Sequence, residues 1–185
     1  DSCGDYFVYL VCDIKETKTG TRLGKSIGFD FGFKGKMLVA ENQEDDISAP
    51  NFFRKQEKAV ARANRKLSLK RPRSNNRRKA RLEFARLHRK IVNQRRDYHW
   101  KLARELCVKY SILCLEDLDM KWMQIGHGKK VMDYGFAKFL NILEYVAPQF
   151  GTQVIRVDKF CPSSQLCNNC GFQNKEIKDI RVREW

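Results

Sequence analysis

Three places in the sequence carry side chains with more chemistry than packing requires. Asp30 stands between Phe29 and Phe31, with Gly28 and Gly32 outside them. A carboxylate is disfavoured in a strand of that kind, and a charge near a core is costly unless something compensates it. Glu116 is the first charge after the run Ser111–Leu115 (SILCL). Taken singly, Asp30 reads as a turn or bulge residue and Glu116 as a solvated strand end. Taken together, the two are hard oxygen ligands suited to Mg²⁺ or Mn²⁺. Two such ions about 4 Å apart can activate a water and stabilise the leaving oxygen of a phosphodiester. Asp117 reads as a neighbour able to orient the pair, and Asp119 as a solvated loop charge.

The third place is Cys167-Asn168-Asn169-Cys170-Gly171. Two thiolates at this spacing, with Gly after the second, suit tetrahedral Zn²⁺. A structural site needs four ligands, and a second Cys pair usually follows within about 15–20 residues. None follows before Trp185, and His88, His99 and His127 lie elsewhere. Cys161 is a weak candidate for a third ligand. Zn²⁺ is therefore expected only if a second knuckle is supplied, and a redox pair or two free thiols stay open. Cys3, Cys12, Cys107 and Cys114 sit in or near apolar runs and read as small core residues. An odd count of seven cysteines with no secretory signal pattern points to a reducing, cytoplasmic setting.

The elements that must position these groups follow from periodicity. Tyr6–Ile14 is a continuous apolar, β-branched and aromatic run, read as a buried strand. Gly20 to Gly24 reads as a turn. Lys25–Phe31 and Lys36–Ala40 read as strands joined by a short glycine turn, and Glu41–Pro50 as a polar loop. Asn51 to Leu69 is helical and basic, and Arg71–Asn76 breaks it. A longer helix runs from about Arg77 to Tyr110, with Phe84, Leu87, Ile91, Tyr98, Leu102 and Leu106 as its apolar stripe. Ser111–Leu115 is a strand, Met120–Lys130 a loop, Tyr134–Phe150 an amphipathic helix and Gln153–Val157 a last strand. The helix buries Phe136, Phe139, Leu140, Leu143 and Val146 and ends at Gly151. The order is mixed α/β: three strands, a helical hairpin, then strand, helix and strand, as in a ribonuclease H-like arrangement.

Charge supplies the partner class. The chain carries a net charge of +15, yet residues 51–110 hold 21 Lys+Arg against 4 Asp+Glu, while the other 125 residues hold 16 against 18. The excess is concentrated on the helical hairpin, which reads as a polyanion-binding surface. Arg62, Arg65, Lys66, Arg77, Arg78, Arg81, Arg89, Arg95 and Arg96 are its candidate nucleic-acid contacts. Trp100 could stack on a base; Tyr98 lies on the apolar stripe and reads as core. No run of about 18 apolar residues crosses a membrane, and the basic helices lack the wide apolar face of a membrane-surface helix.

Six segments in order resemble the TnpB/OrfB family of insertion-sequence proteins, relatives of the type V CRISPR effector nucleases. They are IGFDFG (Ile27–Gly32), FFRKQEKAVARANRKLSLK (Phe52–Lys70), RLEFARLHRKIVNQRRDYHWKLA (Arg81–Ala103), LEDL (Leu115–Leu118), VDKFCPSSQLCNNCG (Val157–Gly171) and REW (Arg183–Trp185). The resemblance implies an RNA-guided DNA endonuclease with a split RuvC-like domain, acting on DNA with a guide RNA and Mg²⁺ (or Mn²⁺). Asp30 would match the first catalytic acid and Glu116 the second. Cys167 and Cys170 would match the first zinc-ribbon knuckle, and Ser163 and Ser164 the family's paired serines. It divides the chain into residues 1–50 and 111–160 as two halves of the RuvC-like domain. Residues 51–110 become the basic hairpin insertion and 161–185 a partial zinc ribbon. The family's second Cys pair and third acid do not occur here, and the sequence reads as truncated at both ends. Little or no cutting by this chain alone is the expectation. A nucleic-acid-binding remnant without chemistry, and a transposition-associated protein that joins strands, stay open beside the nuclease.

Overall fold

The computed structural model describes residues 3–13, 24–117, 120–158, 161–162, 165–167 and 169–174. Its framework is a five-stranded mixed sheet with helices packed on one face. The strands are β1 (Ser26–Phe31), β2 (Lys36–Ala40), β3 (Ile47–Ser48), β4 (Ile112–Glu116) and β5 (Gln153–Val157). The helices are α1 (Phe52–Ser68), α2 (Asn75–Lys109), α3 (Met120–Tyr134) and α4 (Phe136–Phe150). The spatial order is β3-β2-β1-β4-β5. The first three strands pair antiparallel, and β4 runs parallel to both β1 and β5.

Alternation decides which face of the sheet is covered. Ile27, Phe29 and Phe31 of β1 and Leu113 and Leu115 of β4 are buried in one core cluster. Residues between them project to the other side. Phe139, Leu140, Leu143 and Val146 of α4 meet this core, with Leu102, Ala103 and Leu106 of α2. The Phe31 and Phe136 rings stand edge to face, 4.8 Å apart. The β1–β2 turn is tight: a Cβ on Gly32 would lie 2.6 Å from the Lys36 carbonyl oxygen. Only glycine lets the hairpin close there.

Two caps join distant segments. Asn51, at the start of α1, has a left-handed backbone and no side-chain cap. The orphan N–H groups go instead to Asp133 of α3, whose carboxylate accepts from Phe53 (2.8 Å) and Arg54 (3.2 Å). The Thr152 hydroxyl lies between the carbonyl oxygens of Cys107 (3.1 Å) and Tyr110 (3.0 Å), tying the end of α2 to the turn after α4. The two helices therefore run in the same direction, side by side.

Several expectations are corrected. The run Tyr6–Ile14 predicts a buried strand, yet Tyr6 to Asp13 forms no strand among the described residues, and Tyr6 and Val11 are each 99% exposed. Ile14 lies outside the described residues, as do Gly20 to Arg22 and Leu23 of the expected turn. The run announces a need for burial, but a strand also needs a partner for its backbone groups. Cys12 is correspondingly exposed and is not core, whereas Cys3 and Cys107 are buried. Met120–Lys130, read as a loop, belongs to helix α3, which departs from helical geometry at His127. The helix read from Tyr134 starts at Phe136, because Gly135 takes a left-handed conformation (φ 65°) that separates α3 from α4. The loop Glu41–Pro50 holds the short edge strand β3.

Candidate functional site

Asp30 and Glu116 lie on neighbouring parallel strands. Phe29 is in register with Leu115, so the two carboxylates follow side by side at the C-terminal ends of β1 and β4. Both point away from the helix-covered face, since Phe29 and Leu115 point into it. Asp30 is exposed and its Oδ1 accepts from the Phe31 N–H at 2.7 Å. Glu116 is half-buried, and its pKa is raised. Burial is the largest cause; the negative charge of Asp30 and a carboxyl–carboxyl hydrogen bond with it add to the effect. Such a pair is short of positive charge, which a divalent cation would supply. The donor set fits a hard ion on chemistry and placement.

Asp117 turns aside: its carboxylate accepts from Arg156 at 3.1 Å, and Arg156 also pairs with Glu144 at 2.6 Å. Asp119 lies outside the described residues. Among the described residues no group of three or more His, Cys, Asp or Glu side chains gathers for a metal.

The cysteine turn is formed locally. Gly171 N–H donates to the Cys167 carbonyl (2.9 Å), Cys167 N–H donates to Phe172 (2.8 Å), and Leu166 bridges Gln173. The Cys167 thiol pKa is lowered, first by the backbone N–H groups of Cys170 and Asn169 and then by the Cys170 side chain. Donors aimed at one sulfur favour a thiolate. Two thiols are half of a structural zinc set, and Cys161 does not complete a three-ligand group with them. Ser163, Ser164 and Asn168 lie outside the described residues, as do Arg183–Trp185.

The basic hairpin is α1 packed against α2. Its cations have different tasks. Arg62, Arg65, Arg78, Arg81 and Arg96 are exposed. Lys66 pairs with Glu83 at 2.6 Å and Arg89 with Asp5. The Arg77 guanidinium donates to the carbonyls of Leu67 (3.3 Å) and Lys70 (3.1 Å), closing the end of α1. Arg95 donates to the carbonyls of Met132 and Asp133 at the end of α3. Arg77 and Arg95 thus hold backbone, a task no pattern of charge along the sequence distinguishes from an exposed contact. Tyr98, expected in the core, is half-buried against its edge and donates to the Ser48 carbonyl at 3.0 Å. Trp100 packs edge to face on Tyr145 (5.7 Å), with Arg104 5.9 Å over its ring. Sequence reading missed Asp133 and Thr152, whose partners are 80 and 45 residues away, and gave Lys138 and Tyr145 no role.

Comparison with known proteins follows the same lines. Residues 9–125 match the family model OrfB_IS605, described as a probable transposase, and residues 136–185 match the Cas12f1-like TNB domain. A protein of Streptomyces pristinaespiralis named "Putative RNA-guided DNA endonuclease" is 30% identical over all of this chain and 46% of its own length. Escherichia coli K12 InsQ, named in the same way, is 27% identical over 95% of this chain and 47% of its own. A TnpB-like protein of Acanthamoeba polyphaga mimivirus, L79, is 25% identical over 84% of this chain. The chain spans about half the length of the first two relatives. Among solved structures, Cas12f1 in complex with sgRNA and target DNA matches 89% of this chain and 35% of its own, with a TM-score of 0.58 and 20% identity. That likeness concerns the fold. With the family model spanning residues 9–125, the chain belongs to the TnpB/OrfB family of insertion-sequence proteins.

Proposed function

We propose that this chain is the RuvC-type, ribonuclease H-like core of an RNA-guided DNA endonuclease, with Asp30 and Glu116 as two of its metal-binding acids. The observation that carries the reading is the placement of these carboxylates side by side at one end of two parallel strands, near enough for the charge of Asp30 to raise the Glu116 pKa. A bound Mg²⁺ or Mn²⁺ would supply Lewis acidity to a phosphodiester and a lowered pKa to an attacking water. The chain's own part is to fix two anionic ligands on a rigid sheet, where neither side chain can turn into the core. The exposed cations of the hairpin would hold phosphates through charge, which sets affinity and register without reading bases. Cys167 and Cys170 would bind Zn²⁺ once two further ligands are supplied.

Metal binding is the direct test. Titration with Mn²⁺ followed by electron paramagnetic resonance should find a bound ion in the wild type and none after Asp30→Ala or Glu116→Ala. Cleavage is measured with RNA-loaded protein carrying the segments by which the relatives exceed this chain. Mg²⁺-dependent DNA cutting should disappear with Asp30→Ala, and cutting that survives this change overturns the nuclease reading. A second reading, nucleic-acid binding without chemistry, is favoured for this chain alone by one observation. Only two acids meet among the described residues.

A further inference from the structure

The face of the molecule opposite the acidic pair carries an arrangement that cutting does not use. Between α2 and α4 lies an open pocket of about 220 Å³. Arg95, Arg96 and Lys138 line it, with Asn141 and one edge of His99, and no carboxylate does. Arg95 is committed to the carbonyls at the end of α3. Arg96 and Lys138 are exposed. His99 is 1% exposed; it donates from Nε2 to the Tyr134 carbonyl at 2.9 Å. Burial pushes its pKa down to about 4, so it is a neutral wall rather than a fourth cation.

Past the pocket the facing sides of α2 and α4 continue as a seam, termed the α2–α4 groove, marked by the Trp100–Tyr145 ring contact. Because α2 and α4 run in the same direction, equivalent steps along them stay opposed. On α2, Arg96, Trp100 and Arg104 follow at four-residue spacing, about 6 Å per step. On α4, Lys138, Ile142 and Tyr145 follow on the facing side. The Trp100 and Tyr145 rings stand edge to face, Tyr145 is 65% exposed, and Arg104 lies over Trp100. The nearest acid on α4, Glu144, is drawn away to Arg156. Cations at one end and an exposed aromatic platform at the next step form the combination that single-stranded nucleic acids use, because every base has a π-face.

We propose that the α2–α4 groove seats a single-stranded polynucleotide, a phosphate lying between Arg96 and Lys138 and a base on Tyr145. The groove is on the helix-covered side of the sheet, whereas Asp30 and Glu116 point from the other side. The strand it holds is therefore a strand kept in place, distinct from the one presented to the carboxylates. The proposal rests on reading the chain as one that acts on nucleic acid, and adds a second track to it.

The test is fluorescence anisotropy with labelled oligo-dT, oligo-rU and a duplex of equal length, read over a range of salt. Tyr145→Ala should weaken single-strand binding by about tenfold and leave duplex binding unchanged, and Tyr145→Phe should restore it. Arg96→Ala with Lys138→Ala should lower the slope of log affinity against log salt for single strands by roughly 1. All these side chains are on the surface, and circular dichroism checks that the variants fold. Binding of either oligonucleotide through the groove supports the proposal, and the tighter one identifies the strand as DNA or RNA. The reference is Arg78→Ala with Arg81→Ala on the hairpin. If that pair loses binding while the groove variants match the wild type, the groove proposal is overturned and the nucleic-acid reading survives. If Tyr145→Ala weakens duplex and single strand alike, the groove is likewise overturned. If the wild type binds no nucleic acid at all, both are.

Discussion

At the scale of single residues, the site is an electrostatic conflict held in place by a sheet. Asp30 and Glu116 stand on adjacent strands, and Glu116 responds with a raised pKa, through burial first and Asp30 second. The folded state then binds the Glu116 proton more tightly than the unfolded chain does. The pair costs stability where both groups are charged, above that raised pKa, and the cost fades as pH falls through it. Asp30→Asn removes the like charge. In the absence of divalent ions it should raise the melting temperature at pH 7 by about 2 °C. The gain should shrink as the pH falls below the raised pKa. Scanning calorimetry across that range checks it; an Asp30→Asn protein that melts at or below the wild type at neutral pH contradicts the repulsion. Mg²⁺ should add stability to the wild type and not to the variant, since only a state that binds an ion is stabilised by it.

Among elements, the junction of α1, α2 and α3 positions the basic hairpin relative to the sheet. Arg95 and His99, one turn apart on α2, hold three successive carbonyls at the end of α3: Met132, Asp133 and Tyr134. Asp133 in turn caps α1 with its carboxylate, itself only 5% exposed. A negative charge at a helix N-terminus is favourable both as hydrogen-bond acceptor and against the helix dipole. Asp133→Ala leaves two N–H groups without partners in a partly buried place and should cost about 1–2 kcal/mol. Urea denaturation measures this, and hydrogen exchange should show the loss first at Phe53 and Arg54. Unchanged protection there would show that the cap does not hold the hairpin.

Over the whole molecule, the distribution of charge matters more than its total. The sheet and α4 form an apolar core whose largest residues are nearly inaccessible, Phe136, Phe139 and Leu143 among them. The cationic excess lies outside this core, on α1 and α2. No helix of the described residues is long and apolar enough to cross a membrane. Binding to DNA or RNA should be steep in salt, falling by at least tenfold between about 50 and 200 mM for even a few phosphate contacts. Arg78→Ala with Arg81→Ala should flatten that dependence by roughly 2 in slope for a duplex. An affinity that ignores salt would show that the stripe is a solvated face.

Much of this protein was legible along the chain. Lys25–Phe31 was recognisable as a strand with Asp30 as a charge out of place in it, the 3.6-residue stripe of α2 was visible, and α4 was recognisable from its buried face. These are local signals, each written within one element. Register, caps and partners are not local. That Asp30 and Glu116 meet depends on β1 pairing parallel with β4 across 85 residues of chain. The cap of α1 is Asp133, 80 residues from Phe53, whose N–H donates to it. Met120–Lys130 has no clear stripe, so periodicity read it as a loop. Tyr6–Val11 has the composition of a buried strand, and burial depends on a partner that composition cannot name. Residue types along the chain set which positions favour burial and which favour charge. Which of them meet is a matter of the fold, because pairing and packing are properties of two segments at once.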